Sequence, residues 1–124
     1  MYKRILIATD GSEKSKAAAK EGMELAKALG AQVIALNVVN EVVIASAVRQ
    51  LGSERKDVEA RLKAAGEKAV EELKSMGASA GVNIDTVVRI GAPATAIIDT
   101  AGAEKADLIV VGSHGESCAT KLLI

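Results

Sequence analysis

Four runs of aliphatic residues alternate with longer segments of mixed polarity along this chain. The runs lie within residues 4–8, 31–41, 83–91 and 106–115, the last of them ending in a glycine-rich turn. In the first two runs the aliphatic residues follow one another instead of alternating with polar ones. Such runs are typical of strands that are buried on both faces of a parallel sheet.

The segments between the runs carry the signals of helices. Ser12 is a good N-cap for an Ala-, Lys- and Glu-rich segment, and Gly30 stands where a C-terminal glycine cap belongs. Residues 54–76 predict a second helix, which Gly77 and Gly81 are expected to break. Its apolar residues recur at spacings of three and four: Val58, Leu62, Ala65, Ala69, Leu73 and Met76.

Three further segments complete the pattern. Pro93 suits the first turn of a helix that follows the third run. Residues 42–53 are consistent with a short helix or with a mobile flap, and residues 116–124 are expected to begin a further helix. The alternation therefore predicts an open, doubly wound α/β domain with a parallel sheet and helices on both faces.

The predicted topology also predicts where a ligand binds. In an open parallel sheet, ligands bind at the carboxyl ends of the strands, where the strand order reverses. With the strand order 3-2-1-4, that reversal falls between the first and fourth strands. These strands end in "ATDGS" and "VVGSHG", which are polar and flexible segments. The agreement indicates a binding site at this edge.

Composition excludes several classes of protein. The 124 residues suit a single domain spanning 1–124, and the formal net charge is +0. Tyr2 is the one aromatic residue, which argues against nucleic-acid binding by base stacking. The N-terminal apolar run before Asp10 is too short for a signal-peptide core, and no run has the length of a membrane span. With the single cysteine, Cys118, these features predict a cytoplasmic protein without nucleic-acid or membrane partners.

The two polar strand ends leave more than one chemistry open. Gly112 and Gly115 suit backbone amides that approach a phosphate, or a turn that needs glycine for its φ angle. Asp10 suits an Asx turn, a helix cap or a contact to ribose hydroxyls or a base amine. His114 and Cys118 show no metal-ligand spacing, and no catalytic triad or Walker pattern is present. We therefore assign no catalytic residue and no metal ligand.

Three segments together carry a resemblance to a known family. They are "RILIATDGSEKSKAAAKEGMELAKALGAQVIALNVV", "GAPATAIIDTAGAEKADLIVVGSHG" and the "SCATKLL" that follows. With them the chain resembles the universal stress protein family along nearly its whole length. The resemblance implies an adenine nucleotide alpha hydrolase-like fold with strand order 3-2-1-4-5. It also implies ATP binding, with Mg²⁺, as a regulatory switch with at most slow ATP hydrolysis.

The resemblance further implies which residues bind the nucleotide. Gly112 and Gly115 match the first two glycines of a phosphate-binding pattern, G-x2-G-x9-G-[ST]. Val38 matches a residue whose backbone reads the adenine edge. The other positions that match the site are Ala8, Thr9 and Asp10, at adenine and ribose, and Val111 and His114, along the nucleotide.

The sequence also departs from the family pattern. The third glycine of the phosphate-binding pattern would follow Ile124, and no fifth strand is evident. Glu116 and Cys118 stand where a basic residue and glycine are common. We therefore expect a C-terminally incomplete or divergent member, whose fourth strand is an unpaired apolar edge. Such an edge predicts self-association into a homodimer or a higher homo-oligomer.

Three functions follow as hypotheses. The first is an ATP-binding regulatory module of the stress response. The second is a protein of the same fold that binds no nucleotide and acts through oligomerisation. The third is an ATP hydrolase, for which Asp10, Glu116 and His114 are the candidate groups. A receiver domain is excluded because it needs a second acid after the first strand and an aspartate after the third.

Overall fold

The computed structural model describes residues 3–112 and the backbone of residues 119–121. These residues form one sheet and four helices. The strands are β1 (Arg4–Ala8), β2 (Gln32–Asn40), β3 (Ile84–Gly91), β4 (Leu108–Val111) and β5 (Ala119–Lys121). The helices are α1 (Glu13–Leu29), α2 (Glu41–Leu51), α3 (Arg55–Ala80) and α4 (Pro93–Ala103).

The sheet has the strand order β3-β2-β1-β4-β5. Its first four strands are parallel, in the predicted order 3-2-1-4. The predicted fold class, a doubly wound parallel sheet with flanking helices, is therefore confirmed. The chain order reverses beside β1, so β1 and β4 form the switch point at which the sequence predicts a site.

The C-terminal segment corrects two predictions. Ala119–Lys121 forms β5, antiparallel to β4, with Val111 opposite Ala119 and Ile109 opposite Lys121. The prediction that the fifth strand is missing and leaves β4 as an unpaired edge is therefore wrong, and so is the prediction of a helix across these residues. The physical reason is that the outer N–H and C=O groups of β4 need partners, which β5 supplies.

The core consists of two layers because side chains alternate across each strand. On one face, Ile5 and Ile7 of β1 pack with Met23 of α1 and Leu73 of α3. On the other face, Leu6, Leu36 and Ile109 pack against α4. A smaller cluster of Val39, Ile44 and Val58 attaches α2 to the sheet and to α3. None of the four helices in the described part of the chain is both long enough and apolar enough to span a membrane.

The helix ends follow the sequence signals, with one exception. Ser12 caps α1 by accepting a bond from the Ser15 N–H, and Gly30 ends it with a φ of 67°. Residues 42–53, left open by the sequence, fall mostly within helix α2, which Asn40 caps. The predicted break at Gly77 is wrong, because α3 continues to Ala80 and ends at Gly81. Gly77 serves packing instead, since a Cβ there would overlap the Ile84 side chain.

Candidate functional site

A cleft of about 440 Å³ opens at the carboxyl ends of β1, β2 and β4. Two other surface depressions are slightly larger, at about 450 Å³ each, so size does not distinguish this cleft. Its position does, because it lies at the switch point of the sheet. The lining consists of Ala8, Thr9, Asp10, Ser15, Leu36, Val38, Asn40, Val43, Pro93, Ile97, Val111 and Gly112.

Six of the residues predicted from the sequence lie together around this cleft. Ala8, Thr9 and Asp10 lie at the end of β1 and directly after it, and Val38 lies in β2. Val111 ends β4, and Gly112 follows it directly. His114 and Gly115 lie outside the described residues, as do Glu116 and Cys118. The structure thus brings the described part of the predicted site into one place, and its role in binding stays a prediction.

The turn after β1 is held by a group of short polar side chains. Asp10 Oδ1 accepts bonds from the Ser12 N–H at 2.8 Å and from Ser15 Oγ at 2.8 Å. Thr9 Oγ1 accepts a bond from the Gly11 N–H at 3.1 Å. Asp10 therefore forms the Asx turn that the sequence allowed, and it lines the cleft at the same time. The two interpretations of Asp10 are compatible because the turn bonds use one carboxylate oxygen.

The charge on Asp10 is stabilised by this turn. Partial burial opposes its ionisation, but hydrogen bonds from Ser12 and Ser15 together outweigh that effect and lower the pKa of Asp10. Asp10 is therefore ionised at neutral pH and is a weak base. Its carboxylate is the one charged group among the described lining residues. Within the described part of the chain, no group of three or more His, Cys, Asp or Glu could hold a metal ion.

Glycine is needed at position 112 because there is little space for a side chain, and not because of its backbone φ angle. It is not among the described glycines with positive φ, which are Gly11, Gly30, Gly52 and Gly81. A Cβ on Gly112 would lie 3.0 Å from the Ser15 Cα and 3.2 Å from the Lys14 carbonyl oxygen. The absence of a side chain thus lets β4 end directly against the first turn of α1. The hypothesis of a turn that needs glycine for its φ angle does not apply to Gly112.

The backbone of Val38 faces the gap between β1 and β2. The Gln32 N–H donates to the Lys3 carbonyl and the Thr9 N–H donates to the Leu36 carbonyl, both at 2.9 Å, so the even-numbered residues of β2 face β1. The register of the two strands ends at Ala8 and Leu36. By the alternation of a parallel ladder, Val38 comes next, beyond the last pair. Its N–H and C=O therefore point towards the cleft, where β1 has turned away.

Sequence reasoning missed half of the lining. The missed residues are Ser15, Leu36, Asn40, Val43, Pro93 and Ile97. Three of them, Asn40, Val43 and Pro93, end or follow the second and third strands. The rule that ligands bind at the carboxyl ends of parallel strands could therefore have predicted them. Ile97 gave no such signal, because its place depends on how α4 packs against the sheet.

Comparisons with known proteins agree with the fold and with one another. The model of the universal stress protein family matches residues 1–124. Universal stress protein MJ0531 of Methanocaldococcus jannaschii is 36% identical over 124 residues, which cover 100% of this chain and 72% of that protein.

Two solved structures extend the comparison. The structure of hypothetical protein MJ0577, from the same organism, has a TM-score of 0.78 and 29% identity, covering 94% of this chain and 78% of that one. The crystal structure of a universal stress protein in complex with cAMP has a TM-score of 0.65 and 28% identity, covering 89% of this chain and 75% of that one. The chain belongs to the universal stress protein family.

Proposed function

We propose that this chain is an ATP-binding regulatory module of the stress response that holds the nucleotide, with Mg²⁺, in the cleft between β1, β2 and β4. The observation that carries the proposal is the convergence of Ala8, Thr9, Asp10, Val38, Val111 and Gly112 on that cleft. These residues come from three strands and are distant in sequence. A common cleft at the switch point of the sheet is the arrangement that ligand binding requires.

The lining suits the separate parts of a nucleotide. Leu36, Val43 and Ile97 contribute apolar walls on which a base can pack, and the Val38 N–H and C=O can pair with the edge of adenine. The second carboxylate oxygen of Asp10 can accept bonds from ribose hydroxyls. The Gly112 N–H, at the end of β4, can donate to a phosphate, and Gly115 is the second predicted donor.

The charge of the cleft gives Mg²⁺ a role. Asp10 is negative at neutral pH and repels a triphosphate. A divalent cation bound to the phosphates reduces that repulsion. Since Asp10 is the one acidic group among the described lining residues and its pKa is lowered, we propose binding rather than rapid hydrolysis.

The comparisons support a nucleotide as the ligand. A universal stress protein with a similar structure has been crystallised with cAMP, which contains adenine, ribose and a phosphate. The contacts that we predict in this cleft are to the same three groups: adenine, ribose and phosphate. A cleft volume of about 440 Å³ also falls within the range of small-molecule sites.

A second candidate function is an interaction protein that binds no nucleotide and acts through oligomerisation. Helix α2 favours it, because Val42 and Leu51 are 69% and 67% exposed. The described lining residues also include no positively charged side chain that could bind a phosphate, which favours the second function. The cytoplasmic location predicted from the sequence is compatible with both functions.

Calorimetric titration with Mg-ATP separates the two functions. The chain has no Trp, so calorimetry is better suited than intrinsic fluorescence. Val43→Phe fills the cleft from α2, and we expect it to weaken binding about tenfold or more. Val42→Phe is the matched control, because Val42 is the neighbouring exposed residue and does not line the cleft. If the unmodified chain binds neither Mg-ATP nor cAMP, the proposal is wrong and the interaction protein remains.

A further inference from the structure

We propose that Asn37 is a positioning residue of the nucleotide site, which sets the separation of β1 and β2 beneath the ligand. The inference rests on the proposed function. Asn37 does not line the cleft, and it acts through the Thr9 backbone. Three observations carry it: a buried carboxamide in an aliphatic strand, its bond to the Thr9 carbonyl, and a glycine in α3 that makes room for it.

Asn37 is a polar residue at a core position. It lies in β2 between Leu36 and Val38 and is 8% exposed. Burying an amide in an apolar layer costs free energy unless its groups are hydrogen-bonded, and an aliphatic side chain would fill the position without that cost. The residue at this position is therefore expected to have a role beyond filling space.

That role is visible in its hydrogen bond. Asn37 Nδ2 donates to the Thr9 carbonyl oxygen at 2.8 Å. Thr9 is thus held twice by β2, since its N–H also donates to the Leu36 carbonyl at 2.9 Å. The second bond fixes the peptide that joins Thr9 to Asp10, and so it fixes the start of the turn that carries the carboxylate.

The same bond affects the Val38 backbone. In a continued parallel ladder, the Val38 N–H would donate to the Thr9 carbonyl. That carbonyl instead accepts its bond from the side chain of Asn37. The side-chain amide takes the place of a ladder bond, so β1 can leave the sheet while the Val38 N–H stays directed at the cleft. Asn37 thereby sets the geometry of both the Asp10 turn and the Val38 backbone in the proposed site.

Helix α3 makes room for this amide. A Cβ on Gly66 would overlap Asn37 Oδ1 and would lie 2.9 Å from Asn37 Cγ. Gly66 is buried in α3, where glycine costs helix stability relative to alanine. The close approach accounts for a glycine at this position. It also offers a second way to displace the Asn37 amide without changing Asn37.

The first test replaces the donor. Asn37→Val places an aliphatic side chain at the buried position and removes the bond to Thr9, and we expect Mg-ATP to bind about tenfold more weakly. Thr100→Val is the control, because Thr100 is 1% exposed and its Oγ1 donates to the Ala96 carbonyl at 2.7 Å, outside the cleft lining. Both titrations are run well below the melting temperature. Unchanged affinity in folded Asn37→Val would overturn the inference, whatever the loss of stability.

A second test uses a double-mutant cycle. Gly66→Ala should also weaken Mg-ATP binding, whereas Gly102→Ala should not, since a Cβ at Gly102 has no atom within 4 Å. In the Asn37→Val background, Gly66→Ala should have little further effect on affinity, because the amide it displaces is gone. Additive losses of affinity would show that Gly66 does not act through Asn37.

The third measurement needs no nucleotide. In ¹⁵N spectra of the free chain, Asn37→Val should shift the Asp10 and Gly11 amide resonances, while Thr100→Val should leave them in place. Unshifted resonances would overturn the positioning role directly. If the unmodified chain binds no nucleotide but these resonances shift, the proposed function fails while the structural role of Asn37 is retained.

Discussion

Asp10 shows how one side chain can serve the fold and the proposed site together. Its Oδ1 is used by the turn, where it accepts bonds from the Ser12 N–H and from Ser15 Oγ. These bonds lower the pKa of Asp10 against the opposing effect of burial. The carboxylate that we propose for ribose recognition is therefore oriented and ionised before any ligand arrives. Such pre-organisation reduces the free-energy cost of binding.

This gives a prediction for the nucleotide-free chain. The pKa of Asp10 lies below its ordinary value of 3.8, so ionised Asp10 stabilises the fold above that pH. The stabilisation is lost as the pH falls through the folded-state pKa. We expect Asp10→Ala to lower the free energy of unfolding by about 1 kcal/mol at pH 7, and by less below pH 4.

Urea unfolding at a series of pH values measures the difference. Asp10→Asn is the control, because it keeps an oxygen acceptor and removes the charge. Asp10→Asn should lower the free energy of unfolding by less than Asp10→Ala does. A deficit of Asp10→Ala that is the same at pH 3 and pH 7 would mean that the charge of Asp10 has no part in stabilising the turn.

At the scale of elements, glycines have different roles that the sequence does not distinguish. The sequence predicts breaks at Gly77 and Gly81, yet α3 passes through the first and ends at the second. Gly81 has a φ of 78°, which ends a helix, whereas Gly77 is helical and packs against Ile84 of β3. The difference comes from packing between α3 and the sheet, which no local pattern contains.

Alanine at two helical glycines should therefore have opposite effects. We expect Gly77→Ala to lower the free energy of unfolding by about 1–3 kcal/mol, because Ile84 must move to admit the Cβ. We expect Gly102→Ala, in open space on α4, to raise it by up to about 1 kcal/mol through helix propensity. Chemical denaturation of the two variants measures both. Stabilisation by Gly77→Ala would show that the packing against Ile84 is loose.

At the scale of the whole molecule, the edges of the sheet decide how the chain can associate. Within the described residues the edges are β3 and β5. The exposed charges of Asp85 and Arg89 on β3 disfavour pairing with another strand. β5 spans three residues and covers β4, so the edge that the sequence predicted to be open is covered. β5 therefore replaces β4 as the edge on that side of the sheet.

Self-association stays a prediction, for which the β5 edge and the exposed apolar residues of α2 are the candidate surfaces. We expect a homodimer or a higher oligomer at micromolar concentration. Sedimentation equilibrium across a range of concentrations measures it, in high salt as well, because pairing of backbone groups should not weaken as ions are added. A monomer at every concentration would contradict the prediction.

The sequence by itself determined the class of fold and the edge of the sheet that carries the candidate site. Aliphatic runs, Ser12, Gly30 and Pro93 are local signals, and each one's physical cause lies within a few neighbouring residues. The rule about carboxyl ends then located Asp10 and Gly112 from topology alone. The resemblance to the family added Ala8, Thr9, Val38 and Val111, which the structure places in the same cleft.

Tertiary structure decided what depends on contacts between distant segments. It placed Ile97 at the cleft, paired β5 with β4, and continued helix α3 past Gly77. It also joined Asn37 to the Thr9 carbonyl, across 28 residues of sequence. Hydrophobic periodicity shows that a residue is buried but not which atom it meets. That is why the fold could be predicted, whereas the residue that we propose positions the site could not.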